Sequence, residues 1–259
     1  MKSFEEKQKI TADRLGITTS QMPRHLAIIM DGNGRWAQRK GLPRYEGHRQ
    51  GGKTVEKIAL HCVYLGIESL TLYSFSIENW KRSKTEVNSL MYLYTRYLIE
   101  IRPILMKNSV KLVHLGRLDG LPEEVKTELA KTIEITNDNT GMVLALALNY
   151  GGRTEIADAA KKIAQEYKNG KLSLKDIDEQ CVTRHLYNAD LAEPDLLIRT
   201  ANEMRISNFL LWQISYSEFY VTRTLWPDFK KASMKKAILA YAKRTRRFGD
   251  IKATAGSKR

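Results

Sequence analysis

Three stretches of this sequence gather residue types that could manage a diphosphate. The first holds Asp31, Gly32, Asn33, Gly34, Arg35 and Trp36 in an unbroken run and continues through Arg39, Arg44, His48 and Arg49. An acid placed where a strand ends can hold Mg²⁺, two glycines let backbone N–H groups approach an anion, and the following arginines can neutralise it. The second runs from Ser74 through Ser76, Asn79 and Trp80 to Arg82. Hydroxyl, carboxamide, indole and guanidinium together suit a substrate with an anionic head and an apolar body. The third spans Asp195 to Trp212 and is followed by Glu218; within it Arg199 ends an apolar run, and Arg205 and Ser207 fall where a helix is expected to begin. Two guanidinium groups and a hydroxyl beside a helix N-terminus can clasp a phosphate. Plainer readings stand beside these: a helix-capping Asp in a Gly-rich turn, turn and core roles for Asn79 and Trp80, and surface ion pairing of one arginine with Asp195 or Glu203.

A fourth pattern competes. Residues 47–54, from Gly47 through Gly52 and Lys53 to Thr54, satisfy the G-x-x-x-x-G-K-[ST] spacing of a nucleotide-binding loop. Such a loop must follow a buried strand, and the residues before Gly47, with Pro43, Arg44 and Glu46 among them, form none. The nucleotide reading is therefore set aside.

These groups need a scaffold, and the apolar runs supply one. Strands are expected at Leu26 to Met30, Leu70 to Phe75, Val110 to Leu115, Met142 to Asn149, Leu196 to Arg199 and Phe219 to Thr222, with helical spacing between most of them. Runs apolar on both faces, such as 142–148, require a mostly parallel sheet covered on both sides. The expected fold is one α/β domain with a central, mostly parallel six-stranded sheet flanked by helices, with an apolar tunnel beside it if the helical stripe over 87–105 is a ligand wall and not core. Ligands of such sheets collect at the carboxyl ends of the strands, where all three clusters fall. Val87, Leu90, Met91, Tyr94, Leu98, Ile101, Ile104 and Leu105 trace one long helical stripe, a core face or a ligand wall, which Pro103 should kink or end.

Composition narrows the classes. The chain has 259 residues, 42% of them hydrophobic, with 43 Lys plus Arg against 29 Asp plus Glu and a net charge of +14. This is enough apolar material for a core, and disorder is excluded. The longest apolar run, 142–148, is far below the roughly 18 residues of a spanning helix. The N-terminus lacks a secretory apolar region, and Cys62 and Cys181 belong to no metal or disulfide pattern, so a cytoplasmic setting is expected. The excess charge calls for an anionic partner. Nucleic acid is disfavoured, because the arginines gather at glycine turns and strand ends rather than along a basic helix.

Jointly, the motifs HLAIIMDGNGRWA, SFSIENWKR, NYGGR, DLLIRT and RISNFLLWQ make the chain resemble the cis-prenyltransferases from about Pro23 to Gly249. The resemblance implies a catalytic domain over 23–249, preceded by a polar, helical extension over 1–22 and followed by a basic tail over 250–259. It implies Mg²⁺-dependent condensation of isopentenyl diphosphate with an allylic diphosphate, farnesyl diphosphate being the expected primer, to a long polyprenyl diphosphate such as the undecaprenyl carrier of cell-wall glycans. Asp31 would engage Mg²⁺ and the allylic diphosphate, with Gly32, Asn33, Gly34, Arg35, Trp36, Arg44 and His48 around it. Arg199, Arg205 and Ser207 would hold the isopentenyl diphosphate, and Glu218 would lie near the metal. Ser76, Asn79, Trp80 and Arg82 match a mobile segment that brings Asn79 near the reacting carbon, and Glu86 matches an acid in the same region. The helix over 87–105 would form one wall of the product tunnel. A homodimer and peripheral contact with an anionic membrane are also implied; a non-catalytic polyprenyl-binding subunit is the rival reading. One departure stands out: many family members read Arg-Thr-Gly-Gly-Glu where this chain has Ala201 and Asn202, and the turn is expected to survive at Asn202, since Asn tolerates a left-handed backbone.

Overall fold

Each apolar run expected to be a strand is one, to within a residue at either end. In a computed structural model describing residues 2–244, the strands are β1 (His25–Ile29), β2 (Ser69–Ser76), β3 (Lys111–Leu115), β4 (Val143–Tyr150), β5 (Leu196–Arg199) and β6 (Glu218–Val221). They form a six-stranded sheet in the order β3-β4-β2-β1-β5-β6, and every pairing is parallel, not merely most. The expected tail over 250–259, and the last residues of the expected catalytic domain, 245–249, lie outside the described residues.

The strand order creates the site. From β1 the chain moves to β2 on one side, while β5 lies on the other. The carboxyl end of β1 is therefore a switch point, where the connections leave a crevice. Asp31 lies two residues past β1, and Arg199 ends β5, opposite Ile29.

Helices cover both faces. Helix α1 (Phe4–Leu15) packs through Ala12 and Gln8, whose amide donates to the Gly66 carbonyl at 3.0 Å. Helix α2 (Asn33–Arg39) rests on α3 (Arg44–Leu65), whose buried positions Gly47, Gly51, Val55, Ile58, Cys62 and Leu65 follow the helical period. A Cβ at Gly47 would lie 2.0 Å from the Asn33 carbonyl oxygen, so glycine is required for α2 to approach. The nucleotide-loop pattern over 47–54 is thus wholly helical, and its glycines serve packing. Helix α4 (Lys84–Lys107) carries the long apolar stripe and runs four residues beyond Pro103 instead of ending there. Proline deprives the Ile99 carbonyl of its helical partner, and Ile99 is exposed, so water can replace it. Helices α5 (Glu123–Ile135), α6 (Gly152–Lys168), α7 (Glu179–His185) and α8 (Lys231–Ala242) complete the layers.

The chain between β5 and β6 departs from expectation. Residues 201–217 form turns and no helix. Ala201, Asn202, Ser207, Asn208 and Leu210 all have positive φ, between 47° and 67°, which a helix cannot contain. The turn survives at Asn202 as expected, but Ala201 is left-handed too, with φ 67°. A left-handed non-glycine residue costs about 1–2 kcal/mol. Ala201→Gly should raise the unfolding free energy by about 0.5–1 kcal/mol after the added freedom of the unfolded chain is subtracted, measured by urea denaturation.

His25 supplies a pH dependence. Its ring is buried, donating from Nδ1 to the Ala192 carbonyl and accepting at Nε2 from the Thr71 hydroxyl at 2.7 Å. Burial pulls its pKa down to about 4 from 6.5, outweighing the Ala192 bond and Asp195. The unfolded chain therefore binds this proton first as pH falls, and stability declines between about 6.5 and 4. Fully developed, the loss is about 3 kcal/mol. Thermal melts from pH 7 to 4 should show it together with a like contribution from His48, whose pKa burial also lowers to about 4, and His25→Gln should remove its own share of the dependence and leave the rest.

Candidate active site

At the switch point, Asp31 is held between two arginines. Its Oδ1 lies 3.1 Å from Arg35 Nη2 and its Oδ2 3.1 Å from Arg199 Nη2. The backbone here is fixed by Thr200, whose hydroxyl accepts from the Asp31 N–H at 2.8 Å and donates to the Asp31 carbonyl at 2.6 Å. Gly32, φ 107°, then caps α2.

Arg199 is only 6% exposed. Its Nη1 donates to Ser207 Oγ at 2.7 Å and to the Arg205 carbonyl, while its Nε is buried without a partner. The expected trio of Arg199, Arg205 and Ser207 is thus assembled, by left-handed turns rather than a helix N-terminus. The Arg205 side chain is largely exposed at the mouth and pairs with Glu203, which also lies 3.3 Å from Arg35.

A second cationic group forms where α3 meets α4. Glu86 Oε1 accepts from Arg82 at 2.9 Å and Arg44 at 3.3 Å, with His48 Nε2 4.0 Å away. Burial works against the charge of Glu86, yet Arg44 and Arg82 hold its pKa below the ordinary value. Burial, then Arg82, lower His48 to about 4 against the pull of Glu86, with Arg44 lowering it further, so its ring is neutral at neutral pH. His48 Nε2 and Asn33 Oδ1 are buried without hydrogen-bond partners. With Arg199 Nε and the Tyr97 hydroxyl, four unsatisfied polar atoms belong to residues lining one cavity.

That cavity holds about 930 Å³ and runs from the charged cluster between the sheet and helices α3 and α4. Asp31, Asn33, His48, Ser76, Asn79, Arg82, Arg199, Arg205 and Ser207 line its polar end; Val55, Leu90, Leu93, Ile101, Leu146 and Trp226 are among its apolar walls. The α4 stripe therefore serves as core and as wall. Asn79 folds back so that its Oδ1 accepts from the Ser76 N–H at 3.1 Å. Gly34 lies beneath the Arg44 guanidinium, where a Cβ would come within 2.8 Å.

Seven expected residues do not line it: Gly32, Gly34, Arg35 and Arg44, of which Arg35 pairs with Asp31 and Arg44 with Glu86, and three whose side chains turn elsewhere, Trp36, Trp80 and Glu218. Trp36 turns to Asp228, donating to Oδ1 at 3.0 Å, and its ring carries Lys40. Trp80 packs edge-on to Phe75 and donates to Asn149 Oδ1 at 2.8 Å. Glu218 opens β6 opposite Leu196, three residues or about 10 Å short of the level of Arg199, and pairs with Arg244 at 3.1 Å. The chain does not bring Glu218 to Asp31, because an acid at the start of a parallel strand lies at the sheet's other edge. Among the described residues, no group of three or more acids, histidines or cysteines could hold a metal ion unaided.

Residues not foreseen as part of the site include Tyr73 and Thr200. Tyr73 stacks on Phe209 and donates to the Ser207 carbonyl at 3.1 Å. Its place near the carboxyl end of β2 was the available signal.

Comparison with known proteins agrees with this arrangement. Residues 29–249 match the family described as "Putative undecaprenyl diphosphate synthase". An isoprenyl transferase of Halalkalibacterium halodurans is 51% identical over 232 residues, 90% of this chain and 91% of that protein. A (2E,6E)-farnesyl-diphosphate-specific ditrans,polycis-undecaprenyl-diphosphate synthase of Micrococcus luteus is 46% identical, covering 96% of this chain and 100% of that one. The crystal structure of lavandulyl diphosphate synthase from Lavandula x intermedia, in complex with dimethylallyl diphosphate, superimposes with a TM-score of 0.87 at 37% identity, over 89% of this chain and 100% of that one. With the motifs, the parallel sheet and the charged cavity mouth in agreement, the chain belongs to the isoprenyl transferase family, enzymes that transfer prenyl groups.

Proposed function

We propose that this enzyme condenses isopentenyl diphosphate with an allylic diphosphate, farnesyl diphosphate as primer, in a Mg²⁺-dependent reaction that builds a long cis-polyprenyl diphosphate. The undecaprenyl carrier of cell-wall glycans is the expected product. The observation that carries this reading is the meeting of Arg35 and Arg199 at Asp31, at one end of a cavity whose walls include Val55, Leu90, Leu93 and Ile101. Two anionic heads and one hydrocarbon body fit that division.

The donor set suits a hard cation. The Asp31 carboxylate, part exposed at the mouth, and the unpartnered Asn33 carbonyl oxygen are oxygen ligands, and Mg²⁺ commonly takes one or two carboxylates plus substrate phosphates. Bound there, Mg²⁺ would supply Lewis-acid neutralisation of the leaving diphosphate. Arg35, Arg44 and Arg82, with the neutral His48, would orient the allylic diphosphate, and Arg199, Arg205 and Ser207 the homoallylic one. The double bond of isopentenyl diphosphate attacks the allylic carbon as the carbon–oxygen bond to diphosphate breaks. The proton then lost fixes the cis double bond and leaves to a diphosphate oxygen, directly or through a relay by Asn79. The chain's own contribution is positioning, preorganised positive charge and apolar walls that exclude water.

The setting belongs to the same proposal. Cys62 and Cys181 are buried and free, compatible with the cytoplasm. No helix among the described residues is long and apolar enough to cross a membrane, and peripheral contact with an anionic bilayer would receive the product. The edge strand β6, with Phe219 exposed, offers a seam for a homodimer.

Purified protein given farnesyl diphosphate, isopentenyl diphosphate and Mg²⁺ should release diphosphate and form a long polyprenyl chain, with a chelator stopping both. Asp31→Ala should lower turnover by about 100- to 1,000-fold or more. Binding without product by the wild type would instead favour a non-catalytic subunit.

A further inference from the structure

The motif from Asn149 to Arg153 has no part in the chemistry above, yet the segment carrying Asn79 is fastened to it from both sides. That segment, Ile77–Lys81, is a single 3-10 turn between β2 and α4. On one side of Asn79, Trp80 donates from its indole to Asn149 Oδ1 at 2.8 Å. Asn149 is buried and fully committed: its amide donates to the carbonyls of Arg117 at 3.1 Å and Asp119 at 2.8 Å. On the other side, Glu78 Oε1 accepts from Asn208 Nδ2 at 2.8 Å. Asn208 is pinned to the same motif, its Oδ1 accepting from the Arg153 N–H at 2.8 Å and its carbonyl from the Gly152 N–H at 2.7 Å. Gly151 makes room: a Cβ there would lie 2.8 Å from Asn208 Nδ2 and 3.2 Å from Ile77 Cδ1.

We propose that Asn149 and Asn208 are positioning residues that latch the 77–81 segment, through Trp80 and Glu78, so that Asn79 is held at the cavity mouth. A short turn tied only at its ends would sample many conformations. Fastening the residues on both sides of Asn79 narrows that freedom and gives a segment expected to be mobile one defined position at the cavity, from which release of the latch frees it. Asn208 also follows Ser207, so the latch joins the segment to the loop that holds the second arginine group.

The inference rests on the proposed function for its kinetic readout only; hydrogen exchange reads the latch without turnover. Asn208→Asp keeps the acceptor for Arg153 but sets a carboxylate against Glu78. Backbone exchange over 76–82 should quicken and kcat fall about three- to ten-fold, the range for one hydrogen bond, with a smaller change in KM. Adding Glu78→Gln supplies a donor to the new carboxylate and should restore both. At the buried anchor, Trp80→Phe and Asn149→Ala should each quicken exchange, and the double variant should be no worse than the more severe single one. The proposal is overturned by unchanged exchange in Asn208→Asp, by absence of rescue with Glu78→Gln, or by additive effects of Trp80→Phe and Asn149→Ala. A wild type that shows the protected segment but no prenyl transfer would sink the proposed function and leave the latch standing.

Discussion

Mutual repulsion of arginines is the constraint on which the site depends. Arg35, Arg44, Arg82, Arg199 and Arg205 surround one cavity mouth, and unit charges about 4 Å apart interact by about 4 kcal/mol at the effective dielectric near a protein surface. Three carboxylates hold them together. Asp31 is shared by Arg35 and Arg199, Glu86 by Arg44 and Arg82, and Glu203 by Arg35 and Arg205. Five cations against three anions leave a surplus of two positive charges, with His48 neutral. That surplus attracts an anion, and the carboxylates keep each guanidinium oriented before one arrives. Pairs as exposed as those of Arg44 and Arg205 add little stability, so their effect is orientation.

The sheet makes this arrangement possible. Parallel strands end at one edge, and the register sets Arg199 beside Ile29, so Asp31 need extend only two residues to meet it. Thr200 then ties the two strand ends together through the Asp31 backbone. Most of this was legible in the sequence, because buried parallel strands must be apolar on both faces and their ends are marked where polarity returns. Asp31 and Arg199 are such residues. Tyr73 was not found: its place near the carboxyl end of β2 is its one mark, and an aromatic residue inside a strand is otherwise as much at home in a core as at a cavity.

What stayed illegible depends on partners distant in the chain. Residues 201–217 looked like the start of a helix because Arg205 and Ser207 precede an apolar run, but Ser207, Asn208 and Leu210 are left-handed. Their conformation is set by Gly152, Arg153 and Tyr73, which no local pattern reveals. Glu218 stands apart from Asp31 for a topological reason: it starts its strand, and the starts and ends of parallel strands lie at opposite edges. Trp36 stands apart for an angular one, its ring turning away to Asp228.

The cavity walls complete the electrostatic argument. Val55, Leu90, Leu93 and Ile101 bring low polarity up to the charged mouth, and a charge beside such walls is costly unless paired. His48, lacking a close partner, responds by losing its proton, and burial pushes the Tyr94 and Tyr97 hydroxyls well away from ionisation. Groups that cannot be neutralised, the arginines, are the ones supplied with carboxylates. The same low polarity strengthens every remaining interaction at the mouth, so a charge developing on a departing diphosphate would meet oriented cations rather than mobile water. The apolar walls are therefore part of the electrostatic device and not only a lining of the cavity.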